Sequence, residues 1–281
     1  MKKLLALVLA MAMSLSMVAC SSSSASSAET LKVAISPDFS PMEFVDLSKS
    51  GQDKYVGFDV SLAKYIAAEM GMELELMPMS FDACQAAVST GKVDMSISGF
   101  SYTAERAENY NLSDYYYAGD NETEQTVITM AENKDKYTTA ADFAGVKVGA
   151  QTASLQEALV NEQLVPEGAE IVIFSDINTG VLQLKKGDFD VIAVAQGNGE
   201  AIAANNPDVA VTDFLFEVDD ESANNLILLQ KGDDELTAKV NEILAKAYAA
   251  GLYGEWYAEA QELAGIDTAA EVGYDDEGNE A

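Results

Sequence analysis

The chain has 281 residues, enough for two modest domains or one large one, and a composition that is 48% hydrophobic allows a packed core. Its formal charge is −31, which excludes a nucleic-acid partner, because phosphates demand a basic face, and disfavours anionic lipid. There is no histidine, so Ser-His-Asp and Cys-His catalysis are excluded, the commonest metal ligand is missing, and no metal or cofactor is expected.

The chain opens MKKLLALVLAMAMSLSMVAC, with Lys2 and Lys3 ahead of an apolar run from Leu4 to Val18. That run fits a signal peptide better than a spanning helix. It ends at Ala19-Cys20 in what resembles a bacterial lipobox, with Met17 where Leu is usual. Residues 1–20 are therefore expected to be a lipoprotein signal peptide with Cys20 as the lipidated residue. The alternative is simple cleavage before an ordinary cysteine. One lipid chain alone holds weakly, so more than one is expected. Processing would remove Lys2 and Lys3 and move the charge to about −33. The Ser/Ala-rich stretch 21–29 reads as a flexible tether. Cys84 is then the only cysteine besides the anchor, which forbids a disulfide within the folded part; it reads as a small buried hydrophobe rather than a reactive thiol.

LKVAIS (31–36) reads as a buried strand. DVSLAKYIAAEMG (59–71) reads as a helix, with Val60, Ala63, Ile66, Ala67 and Met70 at helical spacing and Gly71 as its stop. ELELMP (73–78) alternates like a strand, a helix runs from Ser80 to a stop at Gly91, and residues 93–98 form the next strand. Strand–helix–strand–helix–strand implies a parallel sheet flanked by helices. The pattern then recurs. VKVGAQ (146–151) resembles LKVAIS, and Gly187-Asp188-Phe189-Asp190 leads into a strand as Gly91-Lys92-Val93-Asp94 does. The repeat suggests two α/β domains of like build. A last amphipathic helix carries Leu236, Val240, Ile243, Leu244 and Ala247 and stops at Gly251; Trp256 after it reads as a core anchor. The end of the chain, 266–281, is acidic, poor in apolar residues and expected to be loose.

Arg106 is the residue to explain. Thr103 fits a helix N-cap, which puts Arg106 in a first turn, where the macrodipole disfavours a cation. It can lie in solvent, pair with Glu105 or Asp114, or await an anion. Gly99 and Ser101 lie just past the strand ending at 98, at the edge where open parallel sheets bind ligands. A carboxylate there could take the guanidinium fork and the Ser101 hydroxyl, with Gly99 allowing close approach. In the second domain, Ser154 and Glu157 fit a capping box whose free N–H groups also suit an anion.

Several ordered blocks carry a resemblance: SPDFSPMEFVD, GFDVSLAKYIAAEMG, SFDACQAAVSTGKVDMSISG, SYTAERAENYNLSDYYY and GLYGEWYAE. Together they resemble family 3 of the bacterial extracellular solute-binding proteins, the polar amino-acid receptors of ABC importers, from about Leu31 to Leu263. The resemblance implies a two-lobed α/β fold of the type II periplasmic-binding-protein kind, each lobe a mostly parallel sheet flanked by helices. Two crossover strands would join the lobes near 118–123 and 217–224. Lobe 1 would comprise 30–118 and 222–265, and lobe 2 residues 119–221. It further implies that ligand lies in the cleft, its α-carboxylate on Arg106, Ser101 and the N–H groups at Ser154 and Leu155, its α-ammonium on the Gly99 carbonyl. Phe39 and Phe81 stand where the family covers the ligand side chain, although core packing is the competing reading for each. Ser36 and Glu43 are candidate contacts to the far end of that side chain. The family usually has an ammonium-binding Asp where this chain has Ala195; Gln196 beside it, or Asn198, could substitute. Leu155 also replaces a usual Thr.

The resemblance therefore implies a lipid-anchored, extracytoplasmic, monomeric receptor that performs no chemistry and passes an amino acid to a permease driven by a separate ATPase. Three alternatives stay open: a ligand without a free α-amine, a dehydratase-like enzyme of the same fold, and a sensory module.

Overall fold

The computed structural model describes residues 29–116 and 124–266. The expected leader, Cys20, most of the tether, the first crossing and nearly all of the acidic tail lie outside the described residues.

The first half forms β1 (Thr30–Ile35), β2 (Phe44–Val45), β3 (Tyr55–Val56), α1 (Phe58–Met70), β4 (Glu73–Pro78), α2 (Phe81–Ser89), β5 (Met95–Ser101), α3 (Ala104–Asn109) and β6 (Tyr110–Leu112). The second half forms β7 (Gln125–Met130), β8 (Lys147–Gln151), α4 (Leu155–Leu159), β9 (Glu170–Phe174), α5 (Ile177–Lys186), β10 (Val191–Ala195), α6 (Gln196–Asn205) and β11 (Val209–Leu215). The chain then returns through β12 (Asn225–Gln230) to α7 (Asp234–Ala249) and α8 (Leu252–Ala264).

The two main sheets share one plan. The first runs β4-β1-β5-β12-β6 and the second, read from its far edge, β9-β8-β10-β7-β11. In each, three strands pair in parallel, the fourth runs antiparallel, and the fifth, antiparallel to the fourth, runs with the first three. The internal repeat seen in the sequence is the middle of this plan. Asp94 accepts from the Lys32 N–H at 2.7 Å, and Asp190 from the Lys147 N–H at 2.9 Å. The same short link thus ties the same two strands in both halves.

Helices cover both faces of each sheet. In the first, α1, α7 and α8 bury Phe58, Leu62, Ile66, Val240, Ile243 and Tyr257 on one face, and α2 buries Phe81, Cys84 and Val88 on the other. In the second, α4 packs with Phe143 and Phe214, and α5 with Phe174 and Phe189. Gly71, left-handed at φ 68°, ends α1 as expected, its N–H donating to the Ala67 and Ala68 carbonyls. Trp256 packs against the first core, 6.2 Å from the Phe58 ring. Cys84 is buried and unpaired, and burial pushes its thiol pKa up.

Two expectations need correction. The strand expected to end at residue 98 runs on to Ser101, because β12, from far along the chain, pairs Asn225 with Ser101 and Leu226 with Phe100. Gly99 and Ser101 therefore lie within the strand, and the pairing shifts register between Leu226 and Leu228. The second expected crossing, 217–224, is irregular backbone and turn rather than regular strand.

Candidate functional site

Thr103 caps α3 by accepting from the Arg106 N–H at 3.1 Å, and the Arg106 side chain then turns inward to 4% exposure. Its Nη1 donates to the Ser101 carbonyl at 2.6 Å, Nη2 to the Ala153 carbonyl at 2.9 Å and Nε to Gln85 Oε1 at 3.4 Å. The guanidinium carbon lies 5.6 Å from the Phe81 ring centroid and 5.2 Å from that of Phe100, and those rings stack 4.7 Å apart. Neither Glu105 nor Asp114 pairs with it; no ion pair among the described residues includes it. Burial holds its pKa down to about 10, so it stays charged at neutral pH. A guanidinium has five N–H donors, and the protein uses only some of them. A desolvated cation without a counter-ion is costly, and the unused donors define a place for an anion.

The opposite wall is built around Ala153. Ser154 caps α4, its Oγ accepting from the Glu157 N–H at 3.1 Å. Glu157 closes the box one residue early, accepting from the Ala153 N–H at 2.6 Å. Ala153 takes a left-handed φ of 61°, a strain held by that bond and by the donors from Arg106 and Gln85 to its carbonyl. The Ser154 N–H is taken by the Gln151 carbonyl at 3.3 Å, which leaves Leu155, the first residue of α4, to offer its N–H.

Between these walls lies a cleft of about 570 Å³, counting the part open to solvent. Eight anticipated residues line it: Phe39, Phe81, Gly99, Ser101, Arg106, Ser154, Leu155 and Asn198, the last being one of the two candidates named to stand in for the missing Asp. The ends of β5, β8 and β10 converge there, as expected for sheets of this kind. Gly99 has φ +55°, and a Cβ on it would stand 2.5 Å from Phe39 Cε1. Phe39 touches the cores of both halves, and Phe81 packs on Phe100 while lining the cleft, so each aromatic is core and wall at once.

Gln196, Ser36 and Glu43 do not line the cleft. The Gln196 side chain donates along its own helix to Glu200 at 3.1 Å. Ser36 donates its hydroxyl to Asp38 at 2.7 Å and its N–H to Ser98 Oγ at 3.0 Å. Glu43 is fully buried and accepts from the Ser98 hydroxyl. Burial, followed by the charge of Asp59, pushes its pKa well above the usual carboxyl range. Asp59, pushed up to about 6 by burial, accepts from the Gly99 N–H at 2.8 Å and from Tyr116 Oη at 3.1 Å. These acids buttress the strand behind the site.

Several bonds tie the two halves across the cleft. Besides Arg106 to Ala153, Asp38 accepts from Gln151 Nε2 at 3.0 Å and from the Ile177 N–H at 2.7 Å. Asn198 Nδ2 donates to the Ser40 carbonyl at 2.8 Å. Burial pushes the Asp38 pKa up to about 6, against those hydrogen bonds. Phe100, Asp38, Gln151 and Ile177 were not singled out in the sequence. Gln151 was within reach, since it ends a strand at the expected edge; Asp38 gave no signal, because its partners lie 113 and 139 residues away.

Two lobes of one plan, bridged over a cleft that presents a buried guanidinium with no ion-pair partner among the described residues, define a solute-binding protein. Residues 31–260 match the family model of the bacterial extracellular solute-binding proteins, family 3. The chain belongs to that family. It is 31% identical over 215 residues, 73% of this chain and 79% of the relative, to a probable histidine-binding protein of Campylobacter jejuni. It is 32% identical over 216 residues, 76% and 79% of the two chains, to the arginine-binding extracellular protein ArtP of Bacillus subtilis. Among solved structures it resembles the amino acid ABC transporter substrate-binding protein AbpA of Streptococcus pneumoniae bound to L-arginine, with a TM-score of 0.76 and 32% identity, covering 85% of this chain and 97% of that one.

Proposed function

We propose that this chain captures a small carboxylate-bearing solute of the amino-acid class between its lobes and hands it to an ABC permease driven by a separate ATPase. Lobe 1 is 30–118 with 222–265, and lobe 2 is 119–221. Arg106, with the Ser101 hydroxyl and the Leu155 N–H, holds the carboxylate; Phe39 and Phe81 flank the rest of the ligand. The protein does no chemistry on the solute, works as a monomer, and is held at the outer face of the membrane by lipid on Cys20. Among the described residues no helix is long and apolar enough to cross a membrane.

The observation that carries this reading is a buried guanidinium with aromatic and carbonyl neighbours and, among the described residues, no ion-pair partner. Closure follows from the ligand joining both walls: it adds contacts only the closed state can make. A thermal-shift screen of small carboxylic acids against their methyl esters tests it. A bound acid at a hundred times its Kd is expected to raise the melting temperature by about 5–10 °C, and its ester not at all. Equal shifts from acids and esters would refute the carboxylate anchor.

A further inference from the structure

The cleft carries one charge. Arg106 lines it, and no carboxylate does among the described residues. The buried acids Asp38, Glu43 and Asp59 stand behind the wall with their own hydrogen bonds. The remaining polar side chains of the lining are amides and hydroxyls. Among these cleft-lining groups, one buried side-chain atom has no partner: Oδ1 of Asn198, in a residue 1% exposed. Its orientation is fixed by the other end of the amide, since Nδ2 donates to the Ser40 carbonyl at 2.8 Å. Turning the amide over would set oxygen against oxygen. A buried acceptor left without a donor is destabilising; Asn198 lines both the cleft and a second hollow beside Ser40, and a ligand in the cleft is one group able to supply the donor.

We infer that Asn198 Oδ1 accepts a hydrogen bond from an uncharged N–H or O–H of the ligand, and that the preferred ligand is a monoanion. It carries a carboxylate for Arg106 and an amide N–H or a hydroxyl for Asn198. A zwitterion would bring a desolvated ammonium into a cleft whose described residues offer it neutral acceptors only, beside a fixed cation. A ligand with one negative charge neutralises Arg106 and leaves no second charge buried. This rests on Arg106 holding a carboxylate.

Calorimetry on the wild-type protein, with one amino acid, its N-acetyl derivative, its 2-hydroxy counterpart and the same acid with neither group, reads the preference. The N-acetyl or 2-hydroxy acid is expected to bind at least tenfold more tightly than the free amino acid. Asn198→Asp should move the ratio of amino-acid to N-acetyl affinity at least tenfold toward the amino acid. The ratio is the readout because aspartate loses the bond to Ser40 and so weakens closure for every ligand. Ala195→Asp, which puts a carboxylate on the same wall and leaves the Asn198 side chain in place, should move it the same way. A wild-type protein that prefers the free amino acid overturns the inference. So does a ratio unmoved by Asn198→Asp, whether or not Ala195→Asp moves it. If no acid outbinds its own methyl ester, the Arg106 anchor fails instead; if acids do but the nitrogen ratio stays put, only the role of Asn198 falls.

Discussion

At Gly99 two constraints meet. The backbone is left-handed, and the space a side chain would need is filled by Phe39. Gly99→Ala would meet the cost of that backbone, about 1–2 kcal/mol, and push the Phe39 ring off the cleft wall. Denaturant unfolding should show the loss of stability, and calorimetry a weaker ligand; an unchanged midpoint and affinity would mean that the ring and strand adapt freely. Much at this scale was legible. Thr103 signalled a cap, and Arg106 in the first turn stood out as a cation in the wrong field. What could not be read was where Arg106 turns, because the Ala153 carbonyl and the Phe81–Phe100 stack that receive it come from distant segments.

At the scale of elements, the parallel strand–helix–strand units were readable because each is local, with apolar spacing and a glycine stop in one stretch of chain. The antiparallel strands β7 and β12 were not, since their pairing is decided by partners elsewhere. The same holds for the bond between the loop after β1 and the start of α5. Asp38 there has a pKa of about 6 in the closed form against an ordinary 3.8, raised chiefly by burial. Opening the cleft would return it to water and to the ordinary value, so closure takes up a proton between those limits. Closure is therefore favoured as pH falls through about 6 and loses that help above it. Ligand affinity is predicted to rise about tenfold from pH 7 to pH 5, and Asp38→Asn, which cannot titrate, to flatten that rise. A variant that keeps the full pH dependence would show that Asp38 does not sense closure.

Over the whole molecule, two copies of one sheet plan face each other across a narrow space and are joined by hydrogen bonds that Arg106 and Asn198 donate and Asp38 accepts. The chain is strongly acidic at −31, yet its cleft is lined by a single cation and no carboxylate among the described residues. An anion approaching this surface meets net repulsion, which salt screens; binding is won only inside, where the guanidinium is desolvated. Calorimetry of Arg106→Ala with the tightest-binding acid tests that most directly, each protein's unliganded melt serving as the control for folding. The account predicts a loss of about 3–5 kcal/mol in binding free energy, with Arg106→Lys recovering only part because it lacks the planar fork. A folded Arg106→Ala protein that binds the acid as tightly as the parent would contradict it.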